Sequence, residues 1–202
     1  MKQFFKKRWF WIVGICVCIT AAVLLLVRCS DDVTAGKPTL TVETPQKLSL
    51  QNTKEFTLNV TVNQLGETRY PAMSMSLRFD ASRLEFLGVE EGNIFVYDDK
   101  NSSGRKLPQW SCDVNSSNES GFINIMYLDM TGGKNAFMQE LLAEDDNVVL
   151  RLKFRLRGSI RPGDVLDLIV DDAVFAASDE TQSLAMTTDT LKVNNSKLVI
   201  GD

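Results

Sequence analysis

From residue 39 onward the chain is written in steps of two. Between Lys54 and Asn63, Phe56, Leu58, Val60 and Val62 fall on one side of an extended chain, and Thr57, Asn59 and Thr61 on the other. Successive side chains of a strand point to opposite faces, so this alternation predicts a strand with one face buried. Met73, Met75, Leu77 and Phe79 alternate with Ser74, Ser76 and Arg78 in the same way. Val148, Leu150, Leu152, Phe154 and Leu156 are expected to face inward, with Arg151, Lys153, Arg155 and Arg157 outward. Further β-prone runs lie at Thr39–Glu43, Leu84–Val89, Gln109–Val114, Val165–Val170 and Leu191–Ile200, divided by turns such as Asp80-Ala81-Ser82 and Arg161-Pro162-Gly163-Asp164. Phe122–Leu128 is apolar at nearly every position, which predicts a central strand covered on both faces. Asn115–Gly121 reads as a polar turn. Only Asn135–Glu144 breaks the rhythm: Phe137, Met138, Leu141 and Leu142 recur at helical spacing and predict one short helix. Strands with one apolar face bury it by pairing two sheets. The expected fold is therefore all-β, an antiparallel jelly-roll β-sandwich of about nine strands with one short helix.

The first residues follow a different rule. Lys2, Lys6, Lys7 and Arg8 precede a run from Trp9 to Val27 without a single charge. A helix needs about 20 apolar residues to cross a bilayer, and a cleaved signal peptide uses only ~7–15. The cations before the run place the N-terminus inside the cell and the remainder outside. The predicted order is a basic cytoplasmic tail (1–8), a transmembrane signal-anchor (9–28), a stalk linker (29–38) and a β-sandwich domain (39–202). That makes a single-pass cell-membrane protein with its C-terminal domain outside the cell. Leu26-Val27-Arg28-Cys29-Ser30 is similar to a bacterial lipobox, so lipidation at Cys29 is the alternative to an uncleaved anchor. Arg28 stands where that pattern has a small residue.

Composition removes several function classes. The chain has no histidine, so Ser-His-Asp and Cys-His catalysis are excluded, as is His-ligated zinc or iron. Its net charge is −4, and the exported part is more acidic still, which argues against a nucleic-acid partner. Three of the four cysteines belong to the anchor region, leaving Cys112 alone in the domain. Asp98-Asp99, Asp145-Asp146 and Asp171-Asp172 are adjacent pairs, whose side chains diverge on a strand and so do not form a glycosidase dyad. The chain lacks a spaced D-x-D-x-D-G loop, so no cofactor is expected, with calcium in an oxygen-rich loop as the alternative. The expected domain is not an enzyme.

Three segments resemble, in order, the cohesin modules of bacterial cellulosomes. Met73 to Val89, with its Phe79-Asp80-Ala81-Ser82-Arg83-Leu84 turn, is similar to the family's strand, turn and following strand. Gly121 to Asp129 resembles its glycine-led middle strand. Val148 to Arg157, continuing to Gly163-Asp164 and Asp171–Ala176, resembles the long strand and the one after it. The resemblance implies a sandwich that binds calcium-loaded dockerin helices on a flat sheet face, and hence a dockerin-bearing or other protein partner. Two sets of candidate binding residues follow from the residues themselves. Arg151, Lys153, Arg155 and Arg157 form a cationic ladder, with a step of about 7 Å along a strand. It either faces an acidic partner or pairs with cross-strand acids such as Glu85 or Asp167. Trp110 and Tyr97 flank a polar loop and could stack on a sugar, making a surface-anchored carbohydrate-binding module the alternative; core packing is the other role open to Trp110.

Overall fold

The computed structural model describes residues 37–50, 55–132, 134–177, 185–187 and 189–202. The expected anchor (9–28) and Cys29 lie outside them. Among the described residues no helix is long and apolar enough to cross a membrane.

Residues from Pro38 onward form one compact unit. Its strands are β1 (Thr39–Glu43), β2 (Leu48–Ser49), β3 (Glu55–Val62), β4 (Ala72–Arg78), β5 (Leu84–Glu91), β6 (Val96–Tyr97), β7 (Arg105–Lys106), β8 (Ser111–Cys112), β9 (Phe122–Leu128), β10 (Val148–Leu156), β11 (Val165–Ala176), β12 (Lys192–Asn194) and β13 (Ser196–Gly201). Nine of these are three residues or longer, and the other four are two-residue pieces that trim edges and loops. One sheet runs β12-β1-β3-β10-β5 and the second β2-β13-β11-β4-β9-β8, while β6 and β7 form a separate ribbon. The long pairings are antiparallel, but β1 pairs with β12 and β13 with β2 in parallel. The sandwich is therefore all-β but mixed at its edges.

The alternation read from the sequence is what builds the core. Leu58, Val60, Leu150, Leu152 and Phe154 of the first sheet are at most 1 % exposed, as are Met73, Met75, Leu77, Ile123 and Ile125 of the second. Phe154 sits at the centre, with ring centroids 5.9 Å from Phe56, 5.5 Å from Phe79 and 5.6 Å from Phe86. The Phe79 contact joins the two sheets. Rings at these separations add to the burial of their area.

The helix lies elsewhere than the spacing suggests. Over Asn135–Glu144 only a single 3-10 turn forms, Gln139–Leu141. Phe137 is instead bridged antiparallel to Tyr70, with both N–H groups donating across the bridge, and its ring is fully buried against Trp110, Tyr127 and Phe175. Tertiary burial of one aromatic ring outweighs a weak local preference. The short α-helix α1 forms at Val114–Ser120, in the stretch that reads as a polar turn. Its signals are local: the Asp113 carboxylate accepts the Ser116 N–H as an N-cap, and Gly121 closes the helix at φ 71°. Asn118, on this helix, donates its amide to the Phe86 carbonyl at 2.8 Å and accepts the Phe86 N–H at 2.8 Å. One side chain thus substitutes for a neighbouring strand along edge strand β5.

Candidate protein-docking face

The outward positions of the second sheet form rows across its strands. Asp172, Ser76 and Asn124 make one row, Val174, Ser74, Met126 and Ser111 the next, and Ala176, Ala72 and Leu128 the third. A row on the other side of Asp172 holds Ile169, Arg78 and Phe122. The third row and the one before it are apolar or small. Met126 is 48 % exposed and Leu128 51 %, and Met130, just past the strand, is 84 % exposed. Val165, at the start of β11, is the fourth exposed large hydrophobic among the described residues. All four belong to one sheet or its extension.

This corrects the expectation for Phe122–Leu128. The strand is next to the edge, flanked by β4 and the two-residue β8, and one face is open to solvent. Its outward Met126 and Leu128 are about half exposed. Contiguous exposed apolar surface of this kind marks an interaction site.

The polar end of the face is knit together. Arg78 pairs with Asp171, and this carboxylate, as the largest cause, raises the guanidinium above its usual range. Ser76 donates to Asn124 at 2.8 Å, and Lys197 lies 3.5 Å from Asp167. The alternation expected of Asp171 and Asp172 is bent by a bulge between Val170 and Asp172, which leaves both exposed. At the apolar end, the Asp129 carboxylate accepts from Thr131 N at 2.8 Å, Thr131 Oγ1 at 2.6 Å, Asn135 N at 3.2 Å and Asn135 Nδ2 at 3.2 Å. Tyr127 donates to the Asn135 carbonyl at 3.2 Å, and burial, with Asp129 and Asp98 adding to it, pushes its hydroxyl up to about 12. Cys112, beside this strand, is a free thiol whose pKa is raised chiefly by burial, so thiolate chemistry is suppressed there.

The cationic ladder lies on the other sheet and is paired within it. Arg155 meets Glu55 at 2.5 Å and Glu85 at 3.3 Å. Lys153 meets Glu90 at 3.5 Å and Glu55 at 3.9 Å, and Arg151 donates to the Glu91 carbonyl. Of the acids foreseen for it, Glu85 is a partner, whereas Asp167 is on the opposite sheet with Lys197. Arg157 is exposed past the end of β10, where its backbone N–H donates to Arg83.

The sugar-stacking pair does not come together as a platform. Trp110 is stacked on Phe137 at 6.0 Å and edge-on to Tyr127 at 6.1 Å, so its ring serves the core. Its indole N–H is buried without a hydrogen-bond partner. The Tyr97 ring is covered by the Arg69 guanidinium at 5.5 Å. Among the described residues no three acidic or sulfur side chains converge as a metal centre requires.

Two sheets packed face to face, one with an open outer face, define a β-sandwich module. The family model for the cohesin domain matches residues 39–194, and the chain belongs to the cohesin family. A comparison with curated proteins returned no match. Among solved structures, the third cohesin of ScaC from Acetivibrio cellulolyticus, in complex with the ScaB dockerin, is 13 % identical with a TM-score of 0.57; the match covers 82 % of this chain and 99 % of that one. The seventh ScaB type I cohesin of Pseudobacteroides cellulosolvens is 17 % identical, TM-score 0.54, covering 82 % and 92 %. The OlpC cohesin of Clostridium thermocellum, in complex with Doc435, is 14 % identical, TM-score 0.57, covering 82 % and 94 %. At these identities the likeness speaks to the fold.

Proposed function

We propose that this chain is a non-catalytic cohesin module that holds a dockerin-type protein on the outer face of β11, β4, β9 and β8. The observation that carries this reading is the exposure of Met126, Leu128 and Met130 on and just past β9, while the opposite sheet is laced with ion pairs. Membership of the family and the dockerin complexes of its solved relatives supply the kind of partner. The uncharged run from Trp9 to Val27, behind a basic cluster, supports the further part of this reading, a membrane-anchored module displayed outside the cell.

The test is calorimetric titration of calcium-loaded dockerins, taken from a displayed dockerin library, into the full chain held in detergent. Binding is expected for the wild type and is expected to fall about 100-fold or more in Met126→Lys/Leu128→Lys, since central apolar anchors are worth about 2 kcal/mol or more each. Lys153→Glu on the other sheet is expected to leave it within about twofold. A library that binds the wild type and the double variant equally would sink the assignment of the face. For the anchor, the chain is expected to stay with membranes through a high-salt and alkaline carbonate wash; release would exclude a spanning segment.

A further inference from the structure

The arginines among the described residues divide by what meets their guanidinium groups. Arg78, Arg83 and Arg155 are in ion pairs, and Arg151 donates to a backbone carbonyl. Arg157 and Arg161 are simply exposed. Arg69 and Arg105 are exposed too, yet each is held over an aromatic ring. The Arg69 guanidinium lies 5.5 Å from the centroid of Tyr97, and that of Arg105 lies 4.6 Å from the centroid of Phe95. A ring attracts the cation through its quadrupole and leaves the fork of N–H donors for an acceptor. Neither guanidinium meets a carboxylate among the described residues.

The four side chains share one face of the β6–β7 ribbon. Tyr97 stands directly across from Arg105, and Val96, between Phe95 and Tyr97, turns inward and is fully buried. The backbone beneath them is pinned. Tyr97 donates its N–H to the Ala136 carbonyl at 2.8 Å, and Asp98 donates its N–H to the Gly104 carbonyl at 2.9 Å. Asn101 Nδ2 and Ser103 Oγ both donate to the Arg105 carbonyl, at 2.9 Å and 3.0 Å. The loop has thus taken the acceptor that an added strand would use, and recognition on this ribbon falls to side chains. Arg69 reaches Tyr97 from the adjoining segment, where Tyr70 is bridged to Phe137.

The spacing says what fits. Phe95 and Tyr97 are two residues apart, a step of about 6.7 Å in an extended chain, and the guanidinium groups over them are set at roughly that separation. An extended peptide presents its own alternate side chains at the same step. Each guanidinium takes one carboxylate fork to fork, and the ring that places it in advance reduces the freedom lost on binding. The nearest acids do not compete: the Asp98 carboxylate accepts the Lys100 N–H at 3.1 Å within the turn, and Asp99 lies exposed at the tip beside Lys100. A sugar finds less here, because the ring faces on which it would stack carry the guanidinium groups.

We infer that this face of the β6–β7 ribbon binds an extended acidic segment of another protein, with glutamate or aspartate at two alternate positions, one on Arg69 and one on Arg105. The site is separate from the outer face of the second sheet and does not rest on the docking role proposed above.

The experiment is fluorescence anisotropy of short labelled peptides with the full chain, held in a non-ionic detergent at low salt. One peptide alternates glutamate with threonine; a second has the same composition with its glutamates adjacent; polygalacturonate is the competing polyanion. The alternating peptide is expected to bind at least about threefold more tightly than the rearranged one. Its affinity is expected to fall at least about tenfold in Arg69→Gln/Arg105→Gln. A loss of at least about threefold is expected in Arg69→Lys/Arg105→Lys, which keeps the charge and removes the fork. Arg157→Gln/Arg161→Gln, which removes equal charge away from any ring, is expected to bind within about twofold of the wild type. Circular dichroism and melting of the variants are expected to match the wild type, because all four side chains are exposed. Absence of binding, equal binding of the two peptides, an equal loss with Arg157→Gln/Arg161→Gln, or tighter binding of polygalacturonate than of the alternating peptide would each overturn the inference. None of these outcomes touches the dockerin titration, which tests the other face.

Discussion

The two outer faces of this sandwich are made by the same alternation and end in opposite states. On the first sheet, Lys153 and Arg155 are interleaved with Glu55, Glu85 and Glu90, so charges find partners across neighbouring strands. On the second, Met126 and Leu128 stand outward and about half exposed among Ala72, Ser74 and Val174. A face whose groups are satisfied within the fold offers a partner little, since docking there must first break pairs or desolvate charge. Apolar side chains left in water offer the reverse. The comparison teaches that strong charge patterning in a strand can mark a face satisfied within the fold, and excess hydrophobicity the face left open.

The largest expected effect breaks what the two faces share. Phe154 is fully buried beneath the ionic face and in ring contact with three other phenylalanines. Phe154→Ala removes that contact and leaves a cavity, at a cost of about 3–5 kcal/mol. Met126→Ala, on the open face, is expected to change stability by no more than about 0.5 kcal/mol, because the side chain is already half in water. Urea denaturation of both variants measures the difference. Equal losses would mean that Met126 is packed within the fold and that the open face is misassigned.

A smaller effect tests how each sheet ends. Edge strand β5 of the ionic sheet is closed by the amide of Asn118, which answers both polar groups of Phe86. Asn118→Ala strands a backbone N–H and a carbonyl beneath α1, and is expected to cost about 1–3 kcal/mol. Hydrogen exchange at Phe86 is expected to quicken by more than at Ile125, whose partner Cys112 closes the other sheet by backbone pairing. Equal acceleration at both sites would show that Asn118 stabilises the domain as a whole rather than one edge.

Much of this fold was legible because period two is a geometric requirement of strands. Phe56 to Val62, Met73 to Phe79 and the inward residues of β10 fall where the alternation puts them. The misses share a cause, which is that local pattern carries no information on what lies above an element. Phe137 and Leu141 have helical spacing, yet Phe137 is drawn into a bridge with Tyr70 by the ring cluster beneath it. The Asp113 cap and Gly121 stop were visible around α1, but no apolar stripe announced a helix. Most telling is Phe122–Leu128, where apolar residues on both faces read as burial on both faces. The surplus at Met126 and Leu128 was the signal of the open face. It could be recognised only once β8 was seen to be two residues long and the face above β9 to be open.

The smallest expected effect sharpens the contrast from the ionic side. Glu55 accepts from Arg155, and that hydrogen bond is the main reason its carboxyl lies below the ordinary value, with Lys153 adding to it. A carboxylate whose folded pKa is lowered contributes stability that is complete above its unfolded value. That contribution fades as the pH falls through the lowered one. The ladder is solvent-exposed, so salt screens it and its share of stability is slight. Glu55→Gln is therefore expected to melt close to the wild type at neutral pH, and closer still in about 1 M salt. The gap is expected to vanish below the carboxylate range, where wild-type Glu55 is itself protonated. Partner affinity is expected to follow none of this, because no residue of the ladder lies on the open face. If lowering the charge of Glu55 shifted affinity as much as Met126→Lys does, the division of labour between the two faces would be wrong.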